Sequence, residues 1–264
     1  RRHSTGIDKD QMLFSTPVNF YPSGDENIGK RLTLQAVYQD TLPSGSALGT
    51  VVATHGAPGS NNDWKYITPR LQQAGVRIIG VNYPGFGYSQ DLPQLKHDNV
   101  ERNTFVEALM AKLGLQENII FMGHSRGSEN ALQLSARNAC KTVGAILLNP
   151  NGLRVHRGMR PMPVVEFLSN SYDRVPASRG VLGYGMHKYY RLLGLRTSSG
   201  RWAMNAIRTM ANCSFLRRRQ FQEMINENDH IRLLCAYGGR DPLIEEEISR
   251  EFSAHFVRRM HVVC

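Results

Sequence analysis

The chain has 264 residues, and 32 Lys+Arg stand against 22 Asp+Glu, a formal net charge of +10. That length buries a sizeable core in one large domain or two small ones. With 41% apolar residues, 24 Gly and 12 Pro, the composition excludes a disordered, collagen-like or coiled-coil chain.

Residues 1–30 read as a polar, irregular extension broken by Pro17, Pro22 and Gly24. Residues 31–39 alternate apolar and polar side chains and predict a strand buried on one face, followed by a turn over 42–49. A regular rhythm then begins. Short apolar runs at 50–54, 76–82, 118–122 and 143–148 predict strands. Helical patterns separate them: one from Asp63 through Ile67 and Leu71 to Gly75, one over 99–113 and one over 128–138. Such nearly continuous apolar strands are buried on both faces, so the fold class is α/β: a mostly parallel sheet with helices on each side. Each strand ends in a Gly/Pro-rich loop, which is where open α/β sheets hold ligands. Residues 151–230 break the rhythm with helical pieces and no clear strand. It resumes with a strand at 231–236, a helix over 243–257 carrying Ile244, Ile248, Phe252 and Phe256 on one face, and the start of a strand at 260–264. An insertion between two halves of one sheet is the simplest account.

Cys140, Cys213, Cys235 and Cys264 are far apart, with no CxxC and no zinc spacing, so no metal site and no disulfide framework is expected. Sparse cysteine fits a reducing, cytoplasmic setting. Residue 1 is Arg rather than Met, which leaves a targeting segment open. No apolar run is long enough to span a bilayer.

The sharpest chemical signal is Gly123-His124-Ser125-Arg126-Gly127, between a strand and a helix. A strand turning straight into a helix crowds the backbone around the serine, and glycines fit at its flanks. The turn lifts the Ser125 hydroxyl above the sheet and aims the Arg126 amide at what the hydroxyl attacks. An ordinary strand–helix turn with a capping serine is the plainer reading. The second signal is His55-Gly56-Ala57-Pro58-Gly59. Acyl transfer needs a second oxyanion donor; Pro58 has no N–H, so Ala57 takes the role beside Arg126. His55 reads as a structural histidine bonding the loop behind the site. The third segment, Asn82-Tyr83-Pro84-Gly85-Phe86-Gly87-Tyr88-Ser89, reads as a loop beside the other two.

HGAPGS, NYPGFGYS, GHSRGSENAL and the late YGGRDPLI, in this order at these strand ends, resemble the α/β-hydrolase superfamily over residues 31–264. Within it the chain is similar to an uncharacterised branch of invertebrate α/β-hydrolase-like proteins. The resemblance implies an α/β-hydrolase fold with an inserted helical lid, and a Ser–acid–His triad in chain order. The organisation expected is an extension (1–30), a first half of the core (31–150), a basic helical lid (151–230) and a second half (231–264) that is C-terminally incomplete. The acid maps onto Asp241, with Glu245 as the spare. Asp241-Pro242 is also a turn and helix-start signal. The family's histidine follows the last strand on a loop. His255 lies within a helix and His261 within or before the last strand, so the base is expected beyond Cys264, with His261 as the substitute. The chain is thus expected to be a fragment in which Ser125 lacks its base and turns over poorly, and to expose apolar sheet surface that favours association.

The basic surplus is local. Residues 151–230 hold 13 Lys+Arg and 5 Asp+Glu, a net of +8, and the rest holds 19 and 17, a net of +2. Three readings are open: attraction of an anionic substrate, peripheral docking on an anionic membrane, and a solvated helical face, which the sequence favours. Nucleic acid is not expected, because aromatic residues are not interleaved with the arginines. Tyr184, Tyr189 and Tyr190 invite comparison with epoxide hydrolases, whose lid tyrosines hold the epoxide oxygen. Those enzymes use an Asp nucleophile, and the tyrosines read as packing residues. The function expected is a serine hydrolase acting on an ester, thioester or amide through an acyl-enzyme, without cofactor or metal, on a small acyl substrate. The alternative is a non-catalytic protein of the same fold that binds a ligand or partner under the lid. The sequence does not fix an oligomeric state.

Overall fold

The computed structural model describes residues 5–8, 12–257 and 261–263, with side chains from 12 to 257. Nine strands form one sheet: β1 (Thr5–Asp8), β2 (Leu13–Phe20), β3 (Leu32–Asp40), β4 (Thr50–Thr54), β5 (Arg77–Val81), β6 (Ile119–His124), β7 (Thr142–Leu148), β8 (Arg232–Ala236) and β9 (His261–Val263). Their order is β1-β2-β3-β5-β4-β6-β7-β8-β9. β1 to β3 are antiparallel neighbours and β3 is antiparallel to β5, whereas β5, β4, β6, β7, β8 and β9 run parallel.

The parallel strands are apolar because both faces are covered. In β4, Val52 joins a cluster with Ile79, Phe121, Leu132 and Leu147. Its neighbours Val51 and Ala53 face the opposite side, with Trp64, Ile78 and Met122. The covering helices include α1 (Thr68–Gln73), α2 (Asn99–Leu113), α3 (Arg126–Arg137) and α8 (Glu246–Ala254). Residues 151–230 carry α4 (Met162–Arg174), α5 (Arg179–Leu192), α6 (Gly200–Ala211) and α7 (Arg218–Asn226), inserted between β7 and β8.

Three expectations need correction. Residues 1–30 are not irregular throughout. β2 pairs with β3 along its whole length, and Leu13, Thr16, Val18 and Phe20 are buried. Pro17 does not break the strand: the described pairing of β2 with β1 stops at Ser15, so its missing N–H interrupts no described ladder there. The helix expected from Asp63 to Gly75 is split into a 3-10 turn, Asn61–Trp64, and the short α1. Ser60 caps the turn in a capping box with Asp63, and Pro69 falls in the first turn of α1, where its missing N–H costs nothing. The late helix starts at Glu246 rather than at 243, because Asp241 captures the amides of Leu243 and Ile244 in a turn of its own.

Candidate active site

Ser125 joins β6 to α3 with φ 51° and ψ −123°, a left-handed backbone that a side-chain-bearing residue adopts under strain. The neighbours enforce it. A Cβ on Gly123 would lie 2.5 Å from the Gly127 carbonyl oxygen, and one on Gly127 would strike the carbonyl oxygens of Thr54 and His55. The Thr54 hydroxyl donates toward the Met122 and Gly127 carbonyls at 3.2 and 3.0 Å, fastening the turn to β4. The Ser125 amide donates to Leu148 O at 2.8 Å, fastening it to β7. Ser125 sits at the N-cap of α3, yet its side chain caps nothing, so the plain capping role is not the one it plays. Ser128 instead holds the turn by its carbonyl, donating its hydroxyl to Ser125 O at 2.6 Å.

The serine opens into a cavity of about 610 Å³ at the C-terminal ends of the parallel strands, lined by Ala57, His124, Ser125, Asn149 and Asp241 on the core side. Val165, Leu168, Met186, Leu195, Ile207 and Met210 of the insertion make the opposite, apolar wall. Ala57, Ser125 and Asp241 thus face one space, and Arg126 follows Ser125 as the first residue of α3. Among the described residues, neither the Ala57 amide nor the Arg126 amide has a hydrogen-bond acceptor. Two free donors beside a hydroxyl are what a developing oxyanion needs. The Arg126 side chain points the other way, into the core.

Asp241 is held from two sides. Its Oδ1 accepts from the amides of Leu243 and Ile244 at 2.8 and 2.9 Å, and its Oδ2 accepts from Asn149 Nδ2. Asn149, absent from the sequence reading, is itself left-handed (φ 44°) and also accepts from the Gly238 amide through Oδ1 at 3.2 Å. The Asn149-Pro150 pair after β7 was its only sequence signal: asparagine tolerates this backbone better than most residues. Glu245, the spare acid, does not line the cavity. It accepts from the Arg157 amide at 2.9 Å and pairs with Arg160 at 2.6 Å.

The histidines divide by environment. His55 is fully buried, with Nδ1 2.7 Å from Gly56 O and Nε2 accepting from the Tyr83 amide at 3.2 Å. Burial pushes its pKa down to about 4, so it is a neutral strut that ties the Ala57 loop to the 82–89 segment. His124, inside the pentapeptide, is half-exposed in the cavity with Nδ1 3.8 Å from Asp63 Oδ2. Burial opposes the Asp63 charge, but His124 and His55 outweigh it and hold the carboxyl below its ordinary value. Asp63 also accepts from the Gly56 and Ser60 amides, both at 3.3 Å, so one carboxylate braces the loop that carries Ala57. His156 lines the cavity too, with Nδ1 3.0 Å from Leu243 O and Nε2 2.5 Å from Asn151 Oδ1. His255 caps the end of α8 with Nδ1 2.7 Å from its own Glu251 O, away from the cavity. The backbone of His261 pairs with Leu234 in β9, and its side chain lies outside the described residues, as does Cys264.

Of the three tyrosines read as packing residues, only Tyr190 is buried; Tyr184 and Tyr189 are exposed, and Tyr189 and Tyr190 line the cavity. Behind the elbow lies a buried ion cluster that no sequence motif marks. Glu129 on α3 accepts from Arg126 at 2.9 Å and from Arg218 of α7 at 2.7 Å. Burial alone would raise the Glu129 pKa; Arg218 and Arg126 outweigh it and hold the carboxyl below its usual value.

A mostly parallel sheet with helices on both faces, and a strained serine between β6 and α3, define the α/β-hydrolase class. The chain belongs to the family described as "Alpha/beta hydrolase of unknown function (DUF1057)", which matches residues 18–264. It is 33% identical over 246 residues to an uncharacterised protein of Caenorhabditis elegans, covering 90% of this chain and 69% of that protein. It is 32% identical over 127 residues to the mesoderm-specific transcript homolog protein of Bos taurus, covering 46% of this chain and 38% of that protein. Among solved structures it resembles a thermophilic esterase from Thermogutta terrifontis with a TM-score of 0.65 at 18% identity, over 94% of this chain and 89% of that one. At that identity the likeness is one of fold. No helix among the described residues is long and apolar enough to cross a membrane.

Proposed function

We propose that the chain is a serine hydrolase acting on an ester, thioester or amide with an apolar acyl group, through an acyl-enzyme. The observation that carries this is the strained Ser125 facing a cavity beside two unpaired amides. In this reading Ser125 attacks the carbonyl, the Ala57 and Arg126 amides hold the oxyanion, and Asp241, fixed by Asn149, orients and stabilises the base. Among the described histidines that line the cavity, His156 has an oxygen at each ring nitrogen and His124 faces Asp63, so neither is assigned the base. Residues 151–230 act as the lid, and their apolar wall selects the acyl chain. The same engagement of His124 and His156 favours one second reading, a non-catalytic binder of an apolar ligand in this cavity.

A series of p-nitrophenyl esters of increasing acyl length tests the choice. Nitrophenolate leaves without protonation, so acylation shows even where the base is weak. Nitrophenol release that rises with acyl length until the cavity is filled, and that Ser125→Ala removes, supports the hydrolase. Release that is absent at every length, or unchanged in Ser125→Ala, contradicts it.

A further inference from the structure

The insertion is built inside out on its outer side. α4 and α5 both pack on α6, whose residues from Ala203 to Met210 are buried. The inward stripes of the outer helices are ordinary: Val165, Leu168 and Tyr172 on α4, and Leu182, Met186 and Tyr190 on α5, pack against the core cluster. An amphipathic helix should turn polar side chains outward. Here Phe167 is 67% exposed, Val181 76%, Tyr184 66% and Leu192 86%. These residues lie within thirty positions of one another, on the two helices that border the cavity mouth. Exposed Val164, Tyr189 and Leu193 continue the apolar surface into the cavity itself. A concentration of large exposed apolar residues next to a binding cavity marks an interaction surface rather than scattered chance exposure.

The charge on the same surface selects the partner. Arg174, Lys188, Arg191 and Arg196 make no ion pair among the described residues. The two acidic residues of α4 are Glu166 and Asp173, and Asp173 is occupied by Arg208 at 2.8 Å. Lys188 Nζ lies 5.5 Å from the centre of the Tyr184 ring, a cation beside an amphipathic aromatic. An open groove of about 550 Å³ at the C-terminal end of α5 is lined by His187, Arg191, Arg196 and Thr197, a basic recess. A second copy of the chain is a poor occupant, because two such faces would bring unpaired cations together. Apolar and aromatic side chains interleaved with unpaired cations match the interface of an anionic bilayer.

We infer that the outer face of α4 and α5 docks on an anionic lipid surface and sets the cavity mouth at the level of the acyl chains. The docking itself does not depend on Ser125. If the hydrolase reading holds, docking deepens it: the acyl substrate is drawn from lipid.

The test is co-sedimentation of the full chain with vesicles of phosphatidylcholine alone and with about 30% phosphatidylserine added. The chain is expected to pellet with the anionic vesicles only, and to be released as salt shortens the range of the attraction. Arg174→Gln, Arg191→Gln and Arg196→Gln each weaken the partition about fivefold. Phe167→Ser with Leu192→Ser abolishes it, while thermal melting stays unchanged because both side chains are exposed. Absence of pelleting with either vesicle, or pelleting that neither substitution set alters, overturns the inference. So does a dimer, seen by light scattering, that the apolar substitutions dissolve. Fluorophosphonate reactivity of Ser125, measured without vesicles, reports separately on the hydrolase reading.

Discussion

The inner and outer layers of the insertion use the same residue type for opposite ends. In the inner layer, Arg218 of α7 is buried against Glu129, and Arg208 of α6 pairs with Asp173 and donates to Leu95 O. Asn205 of α6 reaches Gly85 O at 3.2 Å and Asp91 at 3.1 Å. These contacts fasten the insertion to the elbow helix and to the 82–97 segment. In the outer layer, Arg174, Arg191 and Arg196 make no ion pair among the described residues, and their neighbours are exposed apolar side chains. The basic surplus of residues 151–230 thus includes a buried, paired set and an exposed set with no ion pair among the described residues. A buried charge is tolerated only with its partner, whereas an exposed one contributes little to stability and is free to serve binding.

The sharpest way to break this contrast is Glu129→Ala. It leaves Arg126 and Arg218 buried without their carboxylate, and a loss of about 3–5 kcal/mol in urea unfolding is expected. A loss no larger than that of a surface substitution would erase the distinction between the layers.

The next test concerns the strut under the Ala57 loop. His55 has a pKa of about 4 in the folded protein, because burial disfavours its charged form, against 6.5 for the free side chain. Between those values the unfolded chain binds a proton that the folded protein refuses. The His55 contribution is therefore complete above pH 6.5 and is lost as pH falls toward 4, by about 1.4 kcal/mol per pH unit at most. Stability curves of the protein and of His55→Asn should converge on acidification over that window. Curves that stay parallel contradict a buried neutral His55.

The smallest effect sharpens the other side of the comparison. Arg174→Gln and Arg191→Gln should each change unfolding stability by less than about 0.5 kcal/mol. A larger loss would group these residues with the paired set.

The parallel strands were legible because burial on both faces leaves an uninterrupted apolar run, as in β4 and β5. The elbow was legible because Gly123 and Gly127 are required by backbone contacts, which a sequence records directly. β2 was obscured by Pro17, whose tolerance depends on a neighbouring strand that ends in time, a fact of pairing rather than of local sequence. Asn149, Asp63 and Glu129 were not singled out for a related reason. Asn149 and Glu129 act on Asp241 and Arg218, far away in the chain, and Asp63, whose loop partners are near, meets His124 only in the fold. The exposed face of α5 was hidden because its apolar residues resemble a buried stripe until α6 shows which side is covered.

The roles of Ser125, Ala57 and Arg126 meet in one measurement: reaction of the chain with a fluorophosphonate, followed by peptide mass spectrometry to locate the adduct. A single adduct on Ser125 that is lost in Ser125→Ala is the expected result. An unmodified Ser125 after prolonged exposure, or label that persists in Ser125→Ala, contradicts its assignment as the nucleophile.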